Sequence, residues 1–326
     1  MKLRPWEASP SFYQRERMNA VETRVSDGHR AKVDRLSPMG KLIVNADDLG
    51  LTGGVNRAIA ELHGAGCITS TTLMAKAAAT LAAIRTALAT PTLGVGCHVV
   101  LVDGEPVLSP EGIAHLACAA TGRFRPTLGT FLRWLHGLEG GGGSAAVRQS
   151  EMEAEAAAQI ARLQAQGLRL THIDTHKHVH LFPAALRPVL RAARRAGIQA
   201  VRNPFEPAWS VRATPAAPWL RRLEVNTLRR LEVGFRRIVT EEGFRTTDGA
   251  LGVLATGTLN PQTVRALLNA LPAQGIYELV THPGYNDAEL QQAPTRLLAS
   301  REVEREALTA LRDCAGVELV SFTELG

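Results

Sequence analysis

Cysteine is scarce in this 326-residue chain: Cys67, Cys97, Cys118 and Cys314 lie far apart, and no Cys-x-x-Cys pair occurs. That scatter excludes a disulfide-stapled scaffold and a cysteine-liganded zinc site, and fits thiols kept reduced in a cytoplasm. Aromatics make up only 5% of the residues. With so few, and with no recognisable nucleic-acid motif, nucleic acid is excluded as the expected partner. No run of 18 or more apolar residues free of charge exists, which excludes a helix spanning a bilayer. The first twenty residues have no apolar core of the secretory-signal kind, so a cytoplasmic location is expected. What is present is ordinary globular material, 45% apolar and 21% charged, enough for one large α/β domain or two small ones.

The net charge of +6 is unevenly spread. Residues 1–38 hold eight Lys/Arg against five Asp/Glu, and residues 186–245 hold thirteen Arg, no Lys and five Glu, so the rest of the chain is acidic. Residues 1–38 are polar and without periodicity. They read as a poorly ordered extension, or as the product of an early start codon with Met39 as the true first residue. Residues 39–326 read as one domain.

Within that domain short apolar strands alternate with helices. Leu42–Val44, Ile68–Met74, Leu93–Val100, Leu170–Asp174, Ala200–Arg202, Tyr277–Thr281 and Val317–Phe322 have strand character. Helices are predicted over about 55–63, 76–89, 145–166, up to Gly197, and 296–313, several of them closed by glycine. Residues 103–144 read as loop, with three prolines and the run Gly140–Ser144. Such alternation predicts βαβ units and a parallel sheet, and at six or more units closure into a barrel is favoured over an open sheet.

In parallel α/β folds reactive groups sit where strands end. Four strand ends carry polar residues of one kind: Asp47-Asp48, His98, the segment DTHKHVH (174–180), and THPGY (281–285). One carboxylate and two imidazoles from separate strands make an open three-ligand site for a divalent metal, and a second carboxylate beside it suits a general base. Each piece alone has a plainer reading. Asp-Asp caps helices, a lone histidine packs in cores, and His-Pro-Gly-Tyr makes turns. Alternation along an extended segment would put His176, His178 and His180 on one face, which is costly in a core.

The motifs NADDLGL (45–51) with Val55-Asn56, TSTTLM (69–74), VGCH (95–98), DTHKHVH (174–180) and ELVTHPG (278–284) together resemble the YdjC-like carbohydrate deacetylases, which include chitooligosaccharide deacetylases. The resemblance covers residues 40–324. VDGEP (102–106), GRFR (122–125) and RNPFEP (202–207) further resemble the branch associated with hopanoid biosynthesis. It implies a distorted (β/α) TIM-like barrel, a metal held by Asp48, His98 and His176, Asp47 as base and His282 as acid. It further implies Asp174 orienting His176, with His178, His180 and Arg202 either behind the ligands or facing substrate. The implied reaction is metal-assisted hydrolysis of an N-acetyl group, with Mg2+ as the ion and Zn2+, Co2+ or Mn2+ as alternatives. The implied substrate is an N-acetylglucosamine-bearing hopanoid, or a soluble chitooligosaccharide. A metal-dependent phosphodiesterase fits less well, since no glycine-rich phosphate loop is present. A sugar- or metal-binding module without turnover would need neither Asp47 nor His282. A homodimer is left open.

Between Pro218 and Ile238, Leu220, Leu223, Leu231, Phe235 and Ile238 recur at helical spacing, flanked by Arg221-Arg222, Arg229-Arg230 and Arg236-Arg237. Either the stripe packs on the domain with the arginines in water, or a basic amphipathic helix makes peripheral contact with an anionic membrane.

Overall fold

Ten residues, Gly40–Leu49, form the central strand β1, buried along almost its whole length. The computed structural model describes residues 40–139, 143–313 and 316–325; the expected 1–38 extension and Cys314 lie outside them. The remaining strands are β2 (Ser70–Leu73), β3 (Gly94–Val99), β4 (Ile173–Thr175), β5 (Gly249–Leu251), β6 (Ile276–Thr281) and β7 (Val317–Val320). Every pairing is parallel, in the order β4-β3-β2-β1-β6-β5, with β7 also on β1.

Helices α1 (Gly53–Gly64), α2 (Thr80–Ala89), α3 (Leu128–Leu135), α4 (Ala145–Gln164), α5 (Pro183–Arg195), α6 (Ala208–Ala213), α7 (Trp219–Leu228), α8 (Glu232–Glu241), α9 (Pro261–Asn269), α10 (Ala288–Gln292) and α11 (Ala299–Thr309) connect them. Local chemistry sets their starts: Thr52 accepts from Val55 N, Ser144 from Val147 N, and Asn260 from Thr263 N ahead of Pro261. The inner faces of helices and strands share one large apolar cluster. Close packing between strands is felt at Gly96 in β3, where a Cβ would stand 2.6 Å from the His172 ring.

The sheet curls into a half-barrel, a distorted TIM-like barrel, and the ladder does not close. Among the described residues, the gap between β4 and β5 is spanned by isolated parallel bridges, Ile173 to Val201 and Ala200 to Arg245, and by a backbone hydrogen bond from Ala250 N to Phe205 O. The expected strand Ala200–Arg202 is thus a pair of bridges. Pro204, two residues on, has no N–H to extend a ladder. Residues 103–144, expected as loop, contain α3, which a Thr127–Thr130 capping box starts.

Segment 176–181 is the largest departure. It is a tight helical turn, interrupted by left-handed Lys177 (φ 55°) and His178 (φ 51°). Those two residues turn the chain out of the strand direction at once, so the three histidines do not share an extended face. His176 and His178 reach the cavity described below, while His180 is fully buried and hydrogen-bonds Thr175 Oγ1 at 2.6 Å.

Candidate metal and acid–base site

Asp47 and Asp48 are the eighth and ninth residues of β1, inside the strand instead of after it. Successive strand residues normally face opposite ways. Here the pairing with β2 slips between Ala46 and Leu49, and Asp48 is left-handed (φ 65°), so both carboxylates line one cavity. That cavity has a volume of about 760 Å3 and also takes in His98, His176, His178 and His282. Among the described residues, four of the five non-glycine positions with positive φ line it: Asp48, Asp103, Lys177 and His178. Strain of this kind, roughly 1–3 kcal/mol per residue, gathers where a chain must present side chains in a set geometry.

Asp48, His98 and His176 converge. Asp48 Oδ1 lies 3.5 Å from His98 Nε2 and 3.6 Å from His176 Nδ1, and the two nitrogens are 3.3 Å apart. Atoms so spaced can share one ion at metal–ligand bonds of about 2.0–2.2 Å. Asp174 fixes the tautomer of His98: its Oδ1 accepts from Nδ1 at 2.8 Å, leaving Nε2 free to face the other two donors. The β3–β4 register sets His98 directly opposite Asp174, so this carboxylate orients His98 and not, as the resemblance implied, His176. Arg301 Nη2 holds the other Asp48 oxygen at 2.5 Å. A second triple, Asp47, His98 and Asp174, is also compact. There Arg202 sits on both carboxylates, and its positive charge opposes a cation.

Arg202 is fully buried and grips Asp47 in a fork, at 2.8 and 2.6 Å, while also contacting Asp174 and Glu278. Burial alone would raise the Asp47 pKa, but the guanidinium holds it well below the usual carboxylate range, helped by His98 and His282. Asp48 is likewise depressed: burial opposes it, and Arg301, His176 and His98 outweigh burial. Glu278 goes the other way, driven by burial up to about 7 despite Arg202. His98 is pushed up to about 9, since the carboxylates around it, Asp174 foremost, overcome burial. Asp47, Asp48 and Asp174 face two guanidinium groups and the raised His98, whose Nε2 proton a divalent cation would replace.

His282 Nε2 stands 3.7 Å from Asp47 Oδ2, and its backbone N–H donates to Glu304 Oε2 at 2.6 Å. Burial lowers its pKa, but Glu304, Asp47 and Asp48 raise it above the usual value. His178 lines the cavity with Nδ1 unpartnered, and burial, then Arg202, keep it neutral. The structure thus brings seven of the nine sequence candidates into direct contact: Asp47, Asp48, His98, His176, His282, Asp174 and Arg202. His178 stands on the wall, and His180 faces the core.

Glu278, Arg301, Glu304 and Thr72 also belong to the network; Thr72 and Glu278 lie within the motifs TSTTLM and ELVTHPG but were given no role, and Arg301 and Glu304 were not singled out. Thr72 Oγ1 lies 3.2 Å from His98 Nδ1 and 3.3 Å from Asp47 Oδ1. Glu278 carried a signal, an acid within the apolar run of β6. Arg301 and Glu304 look like surface residues of an ordinary charged helix.

The family model described as YdjC-like protein matches residues 41–312. A protein named carbohydrate deacetylase from Brevibacillus brevis is 32% identical over 292 residues, spanning 88% of this chain and all of that one. One of the same name from Thermoanaerobacter pseudethanolicus is 28% identical, over 83% of this chain and 91% of its own. Among solved structures, an Enterococcus faecalis protein described as a candidate for cellobiose-phosphate cleavage superposes with a TM-score of 0.67 at 26% identity. It covers 88% of this chain and 99% of its own.

Proposed function

The chain belongs to the YdjC-like family, and from that premise we propose that it is a carbohydrate N-deacetylase, a hydrolase that releases acetate from an N-acetylated amino sugar. The observation that carries this reading is the meeting of Asp48, His98 and His176 beside Asp47 and His282 in one cavity. Asp48, His98 and His176 would hold one divalent ion, Mg2+ by family resemblance, with Zn2+, Co2+ or Mn2+ also compatible with oxygen and nitrogen donors. When bound, that ion supplies Lewis-acid polarisation of the acetyl carbonyl and a lowered pKa for the attacking water.

Asp47 accepts the water proton through Oδ2, the oxygen nearer His282, while Arg202 keeps the carboxylate ionised and aimed. His282, biased toward its protonated form by Glu304 and the two aspartates, gives a proton to the amine nitrogen as the C–N bond breaks. Water thus adds across the amide, and the products are acetate and a free amine. Asp174 and Thr72 hold His98 in place. His178 stands on the cavity wall, and Arg202 lies behind Asp47, fully buried.

The finer reading is an N-acetylglucosamine-bearing hopanoid as substrate, supported by the motifs at 102–106, 122–125 and 202–207. Such a substrate implies a cytoplasmic enzyme in peripheral contact with the inner membrane. Among the described residues no helix is long and apolar enough to cross a membrane. Soluble chitooligosaccharides are the alternative substrate.

The test compares acetate release from an N-acetylglucosaminyl lipid and from diacetylchitobiose, with bound metal measured in parallel. Asp48→Ala, His98→Ala and His176→Ala should lose metal and activity together. Asp47→Asn should keep metal and lose about 10²–10⁴-fold in rate. If Asp47→Asn sheds metal as readily as Asp48→Ala, the division of roles between the two carboxylates is wrong. Release of no acetate from either substrate by metal-loaded protein overturns the deacetylase reading.

A further inference from the structure

The apolar stripe expected between Leu220 and Ile238 divides in two. Phe235 and Ile238 are buried and Leu231 is half-buried, but Leu220 and Leu223 are 61% and 57% exposed, and Trp219 beside them is 71% exposed. The cause is the 3-10 turn Arg229–Leu231 between α7 and α8, which resets the helical phase. α7 is anchored instead by Val225, its one buried residue, against Val211 and Leu254. Arg222 clamps it further, donating to the carbonyls of Val211 and Thr214 at 2.6 Å each. At about 100° per residue, Trp219, Leu223 and Leu220 fall within one arc, on the side of the helix opposite Val225.

This ridge is unusual for the molecule. Of eight large apolar side chains exposed among the described residues, four (Trp219, Leu220, Leu223 and Val233) fall within these fifteen positions, so exposure is concentrated and not scattered. The site lies across the helix: Arg221, about 150° round α7 from the ridge's centre, lines the catalytic cavity together with Val253, whose carbonyl accepts from it.

We propose that the Trp219–Leu220–Leu223 ridge is a membrane-docking surface that seats in the headgroup–acyl boundary of an anionic bilayer. Charge selects this occupant. Residues 219–237 carry six arginines and two glutamates; Arg221, Arg236 and Arg237 pair with Glu224, Glu232 and Glu241, which leaves a net positive face on which Arg212, Arg230 and Arg237 are exposed. A second copy docking face to face would set two such positive surfaces together, whereas an anionic surface complements them. Tryptophan with leucines on one turn, its indole N–H able to reach water, is the chemistry of an interfacial anchor. The inference deepens the lipid-substrate reading above, but the binding itself rests on no catalytic step.

The test is co-sedimentation of the full chain with phosphatidylglycerol-containing and with pure phosphatidylcholine vesicles, at low and high salt. The wild type should prefer anionic vesicles, and its partitioning should fall several-fold as salt rises. The triple variant Trp219→Ser/Leu220→Ser/Leu223→Ser and, separately, Arg212→Gln/Arg230→Gln/Arg237→Gln should each lose about tenfold or more. Both should keep the wild type's melting temperature and its hydrolysis of a soluble N-acetylglucosaminide. Equal sedimentation of wild type and ridge variant overturns the proposal. So does a ridge variant that turns a dimer into a monomer on gel filtration while the wild type ignores vesicles, a result that assigns the ridge to a second copy. Because binding is read without turnover, a chain that docks yet releases no acetate would refute the deacetylase reading and leave this one standing.

Discussion

The Asp174 carboxylate accepts a hydrogen bond from His98 Nδ1 at 2.8 Å, across the register that pairs these two residues in β3 and β4. It has two consequences: it fixes which imidazole nitrogen faces Asp48 and His176, and it places a buried negative charge behind that imidazole, making Nε2 a better donor to any metal it would hold.

Asp174→Asn should therefore weaken divalent-metal affinity by about 10–100-fold, the usual effect of losing such a support. Activity at limiting metal should fall in parallel and recover when metal is added in excess. Isothermal titration of the purified variant checks the affinity. An unchanged affinity would mean that strand geometry alone orients His98.

Arg202 gives a second prediction, about stability. Its guanidinium contacts Asp47, Asp174 and Glu278, all fully or almost fully buried. Arg202→Met removes their shared guanidinium and leaves Glu278 unpaired and Asp47 and Asp174 with imidazoles alone, and breaking a buried pair in this way costs about 3–5 kcal/mol. Urea unfolding should show that loss. Arg202→Lys should recover only part of it, because a single ammonium cannot bridge three carboxylates as a planar fork does. A loss below about 1 kcal/mol for Arg202→Met would mean that the carboxylates take up protons instead of relying on the arginine.

The alternation of strands and helices was legible because parallel strands buried on both faces read as short apolar runs, and Leu42–Val44 and Tyr277–Thr281 stand out in that way. The strand-end polar residues were legible for the same reason, since a charge closing an apolar run is conspicuous. Positive φ at Lys177 and His178 was not legible: lysine does not signal it and histidine favours it only weakly, and it is accompanied by tertiary contacts such as the Lys177–Asp103 ion pair. The partner of Asp174 was hidden because it depends on the β3–β4 register, between residues 76 positions apart. Glu304 and Arg301 were hidden because helix periodicity marks apolar faces, and these two charged residues occupy an inward face. The exposed ridge on α7 could not be foreseen either, since a single 3-10 turn decides whether Leu220 shares a face with Phe235.

The last prediction concerns acid. His180 is fully buried, with Nδ1 on Thr175 Oγ1, the Phe235 ring 6.2 Å away and the His178 ring 6.1 Å away. Burial, reinforced by the positive charges of Arg202 and His98, lowers its pKa from 6.5 to about 3, against the opposing pull of a hydrogen bond to the Arg202 backbone and, less, of Asp47. The folded chain thus holds fewer protons at this site than the unfolded chain between those two values. Its contribution to stability is complete above pH 6.5 and is lost as pH falls from 6.5 toward 3, by up to about 1.4 kcal/mol for each pH unit. His172, buried against Phe322 and also held well below its usual pKa, acts in the same direction. Urea midpoints at pH 7.5, 6.5, 5.5 and 4.5 should therefore fall more steeply for the wild type than for His180→Gln, which cannot titrate. The two curves should converge toward the acid end even if the variant starts out less stable at pH 7.5. Parallel curves would mean that His180 keeps an ordinary pKa, by water entry or by movement of the Arg202 charge, and that the acid sensitivity of this fold arises elsewhere.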